Sequence, residues 1–278
     1  MSVIETLRKQ AAAGFEAVKK LLGDDAAVIP LVRLEGMIAA GGRQGALNLV
    51  RVEKLLDKAF TFERAPVIAI AVNSPGGSPV QSRLIHDRIR ALAAEKEKPV
   101  LVFCEDVAAS GGYMIACAGD EIFADPSSIV GSVGVISASF GFTEVMSKLG
   151  VERRVKTAGK SKVLTDPFAA ETDEQKARME RLLDSLHAQF IALVKARRGE
   201  KLDSEQELFD GSIFTGEEGV AAGLIDGLAE ARSELRKRFG EKTRIRILAP
   251  AKGGLLARVA GATADVLESR LAWARFGL

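Results

Sequence analysis

The chain has few of the residues that most often carry chemistry. Its 278 residues include two histidines, His86 and His187, two cysteines, Cys104 and Cys117, one tryptophan and one tyrosine. A Ser-His-Asp triad or a His-rich metal centre would have to use His86 or His187. Both lie in amphipathic helical stretches among Arg and Leu, which suits a surface or satisfied core residue better. The cysteines sit inside the apolar stretches VLVFCED and GGYMIACAG, where buried free thiols are expected, and their spacing offers no zinc site. So low a count fits a reducing compartment. Aromatics at 5% argue against a base-stacking platform. The 39 basic and 37 acidic residues leave a net charge of +2, too balanced for nucleic-acid binding by a global positive field. No apolar run approaches a signal-peptide core or a span of about 20 residues. A cytoplasmic location is therefore expected, with peripheral contact at the inner membrane face as an option.

What remains is ordinary globular composition, with 47% apolar and 27% charged residues and a mean hydropathy of +0.10. It excludes a disordered, collagen-like or disulfide-stapled chain. The length suits one large α/β domain with short extensions. The patterning suggests an N-terminal amphipathic helix over 1–24, with Ile4, Leu7, Ala11, Phe15, Val18 and Leu22 on one face. A main domain over 25–235 and a basic, amphipathic extension over 236–278 follow. In that extension Leu256, Val259, Val266, Leu267, Leu271 and Trp273 could pack on the protein or anchor it to lipid.

Within the main domain, 26–38 reads as a strand and 47–60 as a helix. PVIAIAV (66–72) has the continuous apolar run of a strand buried on both faces. A helix is expected over 80–97 and a second buried strand over 99–105. A short loop then leads to a helical SGGYMIACAG, followed by a strand with Gly-rich turns over 121–136. Thr172 and Gln175 have capping-box spacing at the head of a long amphipathic helix that ends before Gly199. Thr215 and Glu218 mark a second box in a strand-helix-strand stretch over 213–226. Buried strands alternating with helices predict a mostly parallel sheet with helical cover.

Two glycine pairs stand directly after buried strands, in NSPGGSP and AASGGYM, where backbone amides could approach a ligand closely. A phosphate is poorly served. The tripeptide Gly159-Lys160-Ser161 has Arg154 where a Walker loop needs its first glycine, and GxGxxG is absent. An oxyanion is the other candidate. Ser110 would stand at a strand-to-helix turn beside the amide of Gly111, either as a nucleophile or simply as a helix N-cap. The GxSxG spacing of α/β hydrolases is missing, since Ala108 occupies its first glycine position. With histidine so scarce, the base would be a lysine, active only when neutral. Burial must then lower its pKa from about 10.4 by roughly three units, about 4 kcal/mol. VKTAGKSKVLTDPF offers Lys156, Lys160 and Lys162, of which Lys162 is best placed for burial, beside Val163-Leu164 and before Pro167-Phe168.

Five segments in order then become recognisable: VIPLVRLEGMI, VNSPGGSPVQS, EDVAASGGYMIACAGDEIFADPSSIVGSVGVI, KTAGKSKVLTDPF and GSIFTGEEGVAAGLIDGLA. Over about residues 26–232 the chain resembles the bacterial signal peptide peptidase A family of Ser-Lys serine peptidases, in its short single-copy form. The resemblance implies the crotonase-like, caseinolytic-protease-like α/β superfold, built of repeated strand-strand-helix units with terminal helices. It implies Ser110 as nucleophile, Lys162 as general base and Ser132 as a residue that helps hold the base. It also implies Gly111 and either Gly76 or Gly77 as oxyanion donors. No metal or cofactor is implied. Substrates would be apolar peptides, cleaved signal peptides among them, and Ser and Lys would meet across the interfaces of a homo-oligomeric ring. Two other functions use the same superfold. A crotonase-type acyl-CoA enzyme would need a carboxylate base, and a catalytically silent scaffold would bind membrane-protein partners.

Overall fold

The computed structural model describes residues 26–41, 46–159 and 162–250, together with Trp273, Ala274 and Phe276. The N-terminal amphipathic helix and the apolar anchors of the tail other than Trp273 lie outside the described residues. In chain order the elements are β1 (Val28–Glu35), α1 (Leu49–Phe60), β2 (Ile68–Ser74), α2 (Pro79–Lys96), β3 (Val100–Ala109), α3 (Gly111–Ala116), β4 (Glu121–Ala124), β5 (Ile129–Gly131), α4 (Thr143–Lys148), α5 (Asp173–Arg198), β6 (Ile213–Thr215), α6 (Gly216–Ala221), β7 (Gly227–Leu228), α7 (Ala231–Phe239) and β8 (Arg244–Leu248).

Eight strands form one sheet with the order β6-β5-β3-β2-β1-β8, and β4 and β7 branch from β3. Every pairing is parallel except β5 with β6. The expected α/β class and mostly parallel sheet are what the chain adopts. All seven residues of β2 are buried, as its unbroken apolar run predicts. The sheet also takes in β8, which pairs with β1 from within the stretch read as a C-terminal extension.

β3 differs from the sequence reading. It continues through Ala109, where a loop is expected after Glu105. The reason is a fork: Leu101–Cys104 pair with β4, and Val107–Ala109 pair with β5 on the same side. Glu105 and Asp106 bulge between the two registers. Asn73 plugs the gap, accepting from the Val107 N–H at 3.2 Å and donating to Asp106 at 2.5 Å.

The helices begin where short polar side chains can cap them. Asn48 accepts from the Arg51 N–H, Ser78 stands before Pro79 at the start of α2, and both capping boxes form. α1, α2, α3 and the second half of α5 cover one face of the sheet around a core that includes Val32, Ile70, Ile85, Val102, Ile115 and Val194. The other face packs Ile29, Ala69, Leu101 and Phe103 against Leu235 of α7.

Candidate active site

Between the last pairing residue of β3 and the first residue of α3, the chain must reverse within one residue. All six residues of α3 are buried, and β3 is held on both sides, so neither element can relax to ease the turn. Ser110 absorbs it at φ 52°, ψ −122°. Its N–H donates to the Gly131 carbonyl at 2.8 Å, and its own carbonyl accepts from Met114 at 3.0 Å. The hydroxyl makes no capping hydrogen bond. The N-cap alternative is therefore not how the residue is used.

The two glycine motifs interlock around this turn. A Cβ on Gly111 would strike the Ser82 hydroxyl, and one on Gly112 would strike the Ser74 carbonyl. Gly76, at φ 97°, lies so close that a Cβ there would stand 2.8 Å from both the Gly111 nitrogen and the Ser110 Cβ. The Gly76 N–H is occupied, donating to Ser74 Oγ at 3.2 Å, while its carbonyl accepts from the Ile38 N–H at 2.8 Å. Among the described residues no hydrogen bond engages the N–H of Gly77 or that of Gly111, which heads α3. Gly76 thus provides the close approach, and Gly77 and Gly111 carry the open amides.

Ser132 stands beside Ser110. Ala109 and Gly131 are register partners across β3 and β5, so the two serines leave adjacent strands, which run about 4.8 Å apart, at the same level. Ser132 shares the φ of 52°, and its N–H donates to the Ser212 carbonyl at 2.7 Å.

Lys162 makes no hydrogen bond to either serine among the described residues. It is exposed, and among the described residues no hydrogen bond or ion pair engages its amine. Lys156 is exposed as well, and Lys160 lies outside the described residues. Lys162 sits on an arm, the described residues of 136–159 and 162–168, that is little covered by the body: none of the residues of α4 is buried. Apart from a hydrogen bond from Gln175 of α5 to the Val163 carbonyl, the contacts that hold the arm come from within it. Phe142 stacks on Phe168 at 5.7 Å between centroids, Arg153 caps Phe168 and pairs with Asp166, and the Phe142 N–H donates to the Pro167 carbonyl at 2.6 Å. Its outward side is apolar, with Phe140 79% and Leu149 71% exposed.

The scarce residues take up other positions. Burial pushes both thiols up, Cys117 to about 12, and both cysteines are free. His187 is half-buried, with Nε2 3.0 Å from the Val133 carbonyl. His86 is only half satisfied. Its Nδ1 meets Asp87 at 2.8 Å, but Nε2 is buried without a partner, and burial holds its pKa below 6.5. Among the described residues no group of three or more His, Cys, Asp or Glu is placed to hold a metal ion. Asn73, Ser74 and Ser82, whose polar atoms shape the turn, carry no signal of their own in the sequence beyond membership of the NSPGGSPVQS motif. Ser74 and Ser82 bond within four residues, to Gly76 and Ser78, but what they shape, the backbone at Gly111 and Gly112, is remote in sequence, as are the Asp106 and Val107 partners of Asn73.

A profile of peptidase family S49 matches residues 93–241, which takes in Ser110, Ser132 and Lys162. This chain belongs to peptidase family S49. The resemblance to signal peptide peptidase A is borne out with it. "Protease 4" of Salmonella typhi is 31% identical over 173 residues, covering 60% of this chain and 27% of that one. A protein of Methanocaldococcus jannaschii named as a protease is 32% identical over 183 residues, 66% of this chain and 58% of its own. A Brucella abortus protein named "Na(+)/H(+) antiporter NhaA" is 50% identical over 271 residues, 90% of this chain but 37% of that protein. The antiporter name describes a protein mostly outside the match. Among the described residues of the S49 chain, no helix is long and apolar enough to cross a membrane. A solved structure of a membrane-bound stomatin-specific protease aligns over 82% of this chain at 18% identity and a TM-score of 0.49.

Proposed function

We propose that this chain hydrolyses peptide bonds with Ser110 as nucleophile and Lys162, delivered by the arm of a neighbouring protomer, as general base. The observation that carries the reading is the Ser110 turn: a strained, uncapped serine followed by the open Gly111 amide, with the Gly76–Gly77 turn packed against it at Gly76. The neutral amine of Lys162 takes the Ser110 Oγ proton as Oγ bonds to the scissile carbonyl carbon. The N–H groups of Gly77 and Gly111 hold the oxyanion. The C–N bond breaks, and the Lys162 ammonium returns its proton to the leaving amine. Water, deprotonated by the same lysine, then attacks the acyl carbon; the C–Oγ bond breaks and Ser110 regains its proton. Ser132, beside the nucleophile, offers the incoming amine a hydroxyl partner.

The exposure of Lys162 supports delivery to a neighbour, because a lysine base needs desolvation that its own chain does not supply. The apolar outer side of the arm offers the surface to be buried there. Substrates are extended apolar peptides with small or apolar residues at the cleaved bond, cleaved signal peptides among them. They would lie extended beside Ser110, held through their backbone. A fluorophosphonate probe followed by peptide mapping tests the assignment. Label on Ser110, lost in Ser110→Ala together with turnover of an apolar peptide, is expected. Persistent turnover by Ser110→Ala would overturn it.

A further inference from the structure

α5 touches the proposed machinery at two points, each through a side chain that sequence patterning gives another role. Near its N-terminus, Gln175 is the third residue of the capping box. Its Oε1 accepts from the Thr172 N–H at 2.9 Å. A glutamate would serve that contact equally well. Gln175 does more: its Nε2 donates to the carbonyl of Val163 at 3.1 Å, the residue directly after Lys162. The two partners fix the amide's orientation, since one donates and the other accepts.

Twelve positions further along, His187 meets the carbonyl of Val133, the residue directly after Ser132, at 3.0 Å. A carbonyl only accepts, so Nε2 carries the proton. Ser132 itself, at φ 52°, donates its N–H to the Ser212 carbonyl at 2.7 Å and accepts from the Gly134 N–H at 2.9 Å, and the His187 tether fixes the next carbonyl, that of Val133. At 1.5 Å per residue the two tethers stand about 18 Å apart along the helix axis. Phe190, Leu193 and Val194 bury the helix just beyond His187, so both tethers hang from a fixed rod.

We propose that Gln175 and His187 are positioning residues. Through them α5 sets the Lys162 segment and the Ser132 turn at a fixed separation, so that each protomer presents a base and a receiving half-site in matched register. The inference rests on the Ser110–Lys162 reading above. It accounts for an amide where the capping box alone would accept a carboxylate. It also gives one of the two histidines a task that needs only a donor.

The test uses full-length protein, steady-state hydrolysis of an apolar peptide and thermal melting. Gln175→Glu keeps the cap acceptor but sets a carboxylate against the Val163 carbonyl. It should melt like the wild type and lose roughly tenfold to a hundredfold in kcat at unchanged KM, the size of effect a misplacement of about 1 Å produces. Its activity should also rise at higher pH than the wild type's, because the base is less well seated. His187→Ala should lose kcat likewise, and His187→Gln, which still donates, should recover most of it. Thr172→Ala, which loses the cap but neither tether, gives the stability control: a lower melting point with kcat retained. Wild-type kcat in both Gln175→Glu and His187→Ala, with Ser110→Ala inactive, would overturn the inference alone. An active Ser110→Ala would instead overturn the reading beneath it. If Gln175→Glu melts early, the His187 pair decides: a kcat loss that glutamine does not recover overturns the proposal.

Discussion

Ser110 and Ser132 both hold φ 52°, a region that costs a non-glycine residue on the order of 1–2 kcal/mol. Nothing in the capping of α3 compensates, because the Ser110 hydroxyl bonds no backbone amide of the helix. Two outcomes follow at this residue. Ser110→Ala should abolish hydrolysis while leaving the urea midpoint within the equivalent of about 0.5 kcal/mol, the range of a substitution that breaks no bond. Ser110→Gly should be equally inactive but more stable, by roughly 1 kcal/mol, since glycine takes that φ freely. Equal or lower stability of the glycine variant would show that the turn stores no strain. Gly76 behaves oppositely. At φ 97°, with the Ala109 carbonyl 2.9 Å from where a Cβ would be, Gly76→Ala should lose activity and more than about 1 kcal/mol of stability in the same urea titration.

Among the elements, α2 and α5 each carry a buried titratable group, His86 and Arg198. His86 of α2 has Nε2 enclosed without a partner. Burial lowers its pKa below 6.5, against the opposing pull of Asp87, with Arg197 and Arg83 acting in the same direction as burial. The folded chain therefore binds this proton less readily than the unfolded one, and stability should hold above about pH 6.5 and fall as the pH drops below it. His86→Leu should flatten that fall between pH 6.5 and 5 in urea titrations. A slope unchanged by the substitution would assign the acid sensitivity elsewhere. At the end of α5, Arg198 donates to Asp226 at 2.8 Å and to the Gly223 carbonyl at 2.9 Å. Burial pushes the Asp226 carboxyl up, but hydrogen bonds from Arg198, Lys201 and the Ile122 N–H outweigh it and hold it below its usual range. Its contribution is present at neutral pH and lost as the pH falls through the lowered value, at more acid pH than the His86 step. Asp226→Asn should accordingly cost more stability at pH 7 than at pH 3.

For the whole molecule, the unequal cover of α5 and of the arm sets the expectation. Phe190, Leu193 and Val194 are buried, whereas Leu182 is 47% exposed and no residue of α4 is buried. A surface of that kind is consistent with a second copy lying against it. Mixing inactive Ser110→Ala with inactive Lys162→Ala protein, under conditions of proven subunit exchange, should restore partial turnover, because some interfaces then join an intact serine to an intact lysine. No recovery would place the pair within one chain. Phe140→Ser together with Leu149→Ser should lower both the molecular mass by light scattering and the activity. The melting of the sheet should not change, since neither side chain packs on the body.

The sequence by itself determined what depends on near neighbours. The buried run of β2, the two capping boxes and Pro79 after Ser78 act within a turn or a strand, and the structure shows them where local physics puts them. The motifs also single out Ser110 and its glycines, because a tight turn at a buried strand end leaves glycine almost no substitutes. Tertiary contacts decided the rest. β3 runs on to Ala109 because β5 pairs with its second half, a partner some twenty residues away. Ser110 is uncapped, and Gly76 and Gly77 part company, because Ser74 and Ile38 occupy the backbone around them. Lys162 reads as a residue suited to burial, since it precedes an apolar stretch, yet its own chain leaves it exposed: the contacts around it leave its side chain uncovered, and burial is a property of what packs against a residue, which no local pattern records.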